Sequence, residues 1–93
     1  MSKDLVRRME SLNTRLWQAA IKFEKMRDFA EDAEARCEGL RIADDEAWLA
    51  NTAKQTEASN AMRKLSWKLG ALEDAATELA YFVDEIVDKL EEI

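Results

Sequence analysis

Apolar side chains recur every three or four residues along almost the whole chain, and no proline interrupts them. In the first half they are Leu5, Met9, Leu12, Leu16, Ala19, Phe23, Met26, Ala30, Ala33, Cys37 and Leu40. Alternating steps of three and four put successive apolar groups on one stripe of a helix. Sustained over several heptads, they write a coiled-coil seam, with Met9 at heptad position a and Leu12 at d. The second half repeats the pattern at Ala58, Met62, Leu65, Leu69, Leu72, Ala76, Leu79, Val83, Ile86, Leu90 and Ile93. Read backwards, the same register reaches Gln55, Asn51 and Trp48, so the seam turns polar toward mid-chain.

Gly39 and Gly70 are the only glycines, and strong helix formers dominate the rest. Between the two seams, Gly39 is placed to end a helix in the left-handed conformation, and Asp44 to cap the next one. The expected fold is all-α: one domain over residues 1–93, an antiparallel two-helix coiled-coil hairpin. Helix 1 is expected at about 3–38, the turn at 39–43 and helix 2 at about 44–92. A kink or break near 52–60, where the seam is polar, would instead give three helices. Because a lone hairpin of this size is short of buried area, assembly into an oligomeric helical bundle is expected.

A short connection makes the helices antiparallel neighbours, and residues whose numbers sum to about 88 are then expected to share a layer. That pairs Leu5 with Val83, Leu16 with Leu72 and Phe23 with Leu65. Charge agrees with a fold-back: residues 1–30 carry a net +3, 31–47 a net −5, 48–72 a net +3 and 73–93 a net −7. Folding the chain at its middle lays opposite signs together.

The residue inventory argues against catalysis. There is no histidine, Cys37 is the only cysteine, and no glycine-rich phosphate loop occurs. The expectation is a non-enzyme with no catalytic residues, no metal and no cofactor. The net charge of −6 disfavours general nucleic-acid binding. No apolar run is long enough for a membrane span, and the N-terminus has no signal-peptide core, so a cytoplasmic protein is expected.

Function is expected instead on surfaces beside the seam. Trp17, Ile21, Trp67 and Tyr81 fall at positions b or f, facing away from the hairpin partner. In the 88 register, Trp17, Ile21 and Trp67 share one height. Phe82 lies at g, while Val6, Ala20, Ala80 and Val87 lie at e. Ile86, Leu90 and Ile93 are expected to overhang the start of helix 1. Trp17, Ile21, Trp67, Tyr81, Phe82, Ile86, Leu90 and Ile93 are therefore the candidate partner-binding residues. A second set is basic: Arg8, Arg15, Lys22, Arg36, Lys54 and Lys68, with Lys89, occupy position g, which holds no acid. In the 88 register Lys22 faces Lys68 and Arg36 faces Lys54, an arrangement that invites an anion between them.

Two functions follow. The first is a protein–protein interaction module, an oligomeric hairpin that binds, blocks or scaffolds a macromolecule, as small acidic viral inhibitors of host enzymes do. Its partners would be itself and another protein. The second is a sequestering protein for a small anionic ligand, such as a nucleotide, at the basic stripe.

Overall fold

The computed structural model describes residues 2–39 and 48–93. Two long helices account for them, α1 (Ser2–Glu38) and α2 (Trp48–Glu91), and no strand occurs among the described residues. They pack along each other as a hairpin in a rod of 73 × 13 × 13 Å. The expected span of helix 1 agrees with α1. The polar stretch 52–60 lies inside α2, so it does not start a third helix. The expected turn beyond Gly39 and the Asp44 cap lie outside the described residues.

Gly39 departs from expectation. Its N–H donates to the Ala35 carbonyl at 3.1 Å, continuing the helical ladder, and no described glycine has positive φ. The end of α1 is satisfied from across the hairpin instead. The Gln55 amide nitrogen donates to the Cys37 and Glu38 carbonyls, two of those a helix end leaves without internal partners. The Cys37 thiol donates to the Gln55 carbonyl at 3.6 Å.

The helices are antiparallel, but the register differs from the expected one. Asn13 bonds Asp84, Glu34 pairs with Arg63, and Glu31 accepts from Ser66, all pairs whose numbers add to 97. Relative to a sum of 88, α2 is displaced by about nine residues, or ~13 Å at 1.5 Å per residue. The charge blocks still meet: Arg27 bonds Glu73, and Arg63 bridges Glu34 and Glu38.

The face that closes the hairpin also differs. The buried apolar residues are Ala20, Ala30, Ala76, Ala80, Val83 and Val87, joined by Ser59 and Ser66. Apart from Ala30, Ala76 and Val83 at a, all of these occupy e. The seam is therefore a with e, not a with d. Val6 is half-buried there too, so the e residues expected outside the seam form part of it. The physical reason is size. The e rows hold Ala20, Ser59, Ser66 and Ala80, which let the two backbones approach closely. They also hold Arg27 and Glu73, which pair across the seam. The d rows hold leucines, which would keep the helices further apart.

Gly70 lies mid-helix beside this seam, where the Arg27 side chain crosses toward Glu73. A Cβ at Gly70 would meet Arg27 Cδ at 3.6 Å, an ordinary contact. Alanine relieves the helix-interior cost of glycine, so Gly70→Ala is expected to raise stability by about 0.5–1 kcal/mol, read from a urea transition.

Candidate interaction surface

A helical wheel turns 100° per residue, so when a and e face the partner helix, d lies on one flank and b on the other. Two antiparallel helices are mirror-related in this respect. Both d rows therefore fall on one face of the rod, and both b rows on the other. The contacts agree. A surface hollow of about 570 Å³ is lined by Met26 and Ala33 from α1 and Leu65 from α2, all at d, with Ala30, Met62 and Leu69 at a. Phe29 and Lys25 complete it. On the opposite face, Trp17 at b meets Tyr81 at f edge-on, with ring centroids 5.3 Å apart.

The d face is apolar and open to solvent. Leu65, Leu72 and Leu79 are 51%, 48% and 53% exposed, and Leu5, Leu12 and Met26 are comparably so. Scattered apolar residues on a surface are ordinary, whereas a contiguous row is not. Sequence reasoning placed these residues in the closed seam and so missed the face. The signal was present as a third apolar row: Val6, Ala20, Ala80 and Val87 at e, added to a and d, make the wider stripe of a bundle helix rather than of a two-stranded coil.

The expected partner-binding residues separate into two groups. Trp17, Ile21, Tyr81 and Trp67 are on the b/f face, and the last three are exposed. The new register brings Tyr81 to Trp17 and moves Trp67 level with residue 30, about nine residues from Ile21, so the expected shared height fails. Phe82 lies on the d-face edge and is exposed. Ile86 and Leu90 are half-buried, and only Ile93, at 91%, is bare. The expected C-terminal overhang is absent. Val87 is buried, and Glu91 shares a surface hollow with Lys3, Val6, Arg7 and Glu10 near the start of α1.

The basic g residues line both edges of the d face. The register sets Arg8 level with Lys89, Arg15 with Phe82, Lys22 with Ala75, Phe29 with Lys68 and Arg36 with Ala61. The expected pairs Lys22–Lys68 and Arg36–Lys54 are therefore each out of step by about seven residues. Arg8 and Arg36 hold Asp4 and Asp32 at 3.3 and 3.0 Å one turn earlier. Among the described residues, no group of three or more His, Cys, Asp or Glu side chains is placed to hold a metal ion, and no helix is long and apolar enough to cross a membrane. Compared with protein-family models, curated proteins and solved structures, the chain matches none.

Proposed function

We propose that this chain is a non-enzymatic protein–protein interaction module, an oligomeric helical hairpin that binds, blocks or scaffolds a macromolecular partner. One observation carries the reading: the hairpin closes on a and e and leaves a continuous row of leucines at d uncovered. A helix with apolar residues at a, d and e suits a bundle of more than two helices, because two neighbours are needed to cover three rows. The exposed Trp67 and Tyr81 on the opposite face add a surface of the residue types that anchor protein interfaces.

Ligand sequestration has less support. The register separates the facing lysines that would have gripped an anion, and two of the arginines already hold aspartates. Sedimentation of the full chain tests the interaction reading. The expected mass is a whole multiple of the 10.7 kDa chain, at least two. A single-chain mass at every concentration, with no other protein retained from its native source, would contradict it.

A further inference from the structure

We propose that the leucine face is covered by a second copy of this chain, its long axis parallel to the first, so that α1 of each copy lies antiparallel along α2 of the other in a four-helix bundle. This rests on the interaction reading and specifies which face assembles, in what orientation and in what register. The aromatic b/f face then remains outward for a different macromolecule.

Side-chain size supports this orientation. A two-fold axis along the rod keeps each residue at its own height, so residues whose numbers add to about 98 meet across the copies at d. Ala33 then faces Leu65, Met26 faces Leu72 and Ala19 faces Leu79. The alanine-containing row of α1 lies against the leucine row of α2, and each of these three layers pairs a small or flexible side chain with a branched one, while Leu12 meets Ile86 nearer the end of the rod. Leu65 and Leu72 of the second copy come down over the 570 Å³ hollow beside Met26 and Ala33. The inverted arrangement, with each helix on its own copy, stacks leucine on leucine along α2. It also places the alanine-containing row of α1 on itself, which overfills one side and underfills the other.

Charge supports it as well. In an antiparallel pair the g rows face each other across the joint. The register sets Arg15 opposite Phe82, and Lys68 opposite Phe29, of the other copy. Symmetry repeats both, giving four places where a cation meets an exposed ring edge or face. Lys22 and Arg36 meet alanines. Only Arg8 and Lys89 bring like charges level, and Arg8 already holds Asp4.

Cysteine pairing between differently labelled chains tests the arrangement. In a Cys37→Ala background, chains carrying Ala19→Cys are mixed with chains carrying Leu79→Cys under mild oxidation. Both sites lie outside the a/e seam, so each hairpin still folds. A disulfide-linked product of twice 10.7 kDa should form from the mixture and not from either chain alone. A two-chain sedimentation mass without that link would overturn the arrangement while leaving the interaction reading standing. So would a preferred link between Leu72→Cys and Leu79→Cys chains. A single-chain mass throughout would overturn the second copy itself, and recovery of another protein on the same face would then separate that failure from failure of the interaction reading.

Discussion

Replacing Ala80 with Leu should cost the hairpin about 1–3 kcal/mol, the range for adding bulk where no space exists. Ala80 is 0% exposed and sits in the e row of α2, which closes on the row of α1 that holds the buried Ala20. Close approach of the two backbones depends on small side chains there. Leucine must either push the helices apart, opening contacts at Val83 and Val87, or adopt a strained rotamer. The same change at Ala75, an exposed g position, meets no helix within the hairpin. Its effect on the isolated hairpin should stay within about 0.5 kcal/mol. Urea transitions of the two variants, taken at low concentration, separate a specific seam from a general intolerance of added bulk.

Replacing Leu65, Leu72 and Leu79 together with Gln should leave the hairpin folded and abolish its association. All three are about half exposed and contribute little to the a/e seam. Glutamine has nearly the helix propensity of leucine, so helicity should be retained. Association is different, because each buried leucine is worth roughly 1.5–3 kcal/mol relative to exposure. Three per chain, with about half of that area already hidden in the hairpin, still exceed ~4 kcal/mol, or about three orders of magnitude in the dissociation constant. Sedimentation should show the single-chain mass where the parent chain shows a multiple. An unchanged mass would mean that the leucine face is not what holds the assembly together.

The fold was readable because helix formation and fold-back rest on local signals. The three-four spacing, the lack of proline and the alternating charge blocks all depend on residue type and spacing. Two features were not readable. The choice between d and e as the second seam row depends on how closely two backbones approach, and that is decided by Ala20, Ser59, Ser66 and Ala80 acting together across the helices. The register followed from the same choice. Pairing a with d gives sums near 88, whereas the Arg27–Glu73 and Asn13–Asp84 contacts form only after a displacement of nine residues or more. The partner-binding candidates inherited that error. Trp67 was set level with Ile21, and Ile86 and Leu90 were set beyond the start of α1. Trp17 and Tyr81 lie outside the a/e seam, but b flanks the partner helix in this packing rather than facing away from it, so Trp17 reaches Tyr81 across the hairpin. Their contact with each other required the true register.

The hairpin closes on its small a/e rows in this register and so leaves its leucines uncovered. Two double-cysteine variants in a Cys37→Ala background measure that closure directly. Ala20→Cys with Ala80→Cys lies one heptad from the observed Arg27–Glu73 pair, in the two small e rows that close on each other, and should form a disulfide within a single chain. Leu16→Cys with Leu72→Cys, neighbours only if a packs on d with sums of 88, should remain reduced. Quantitative closure of the 16–72 pair with an open 20–80 pair would contradict the account.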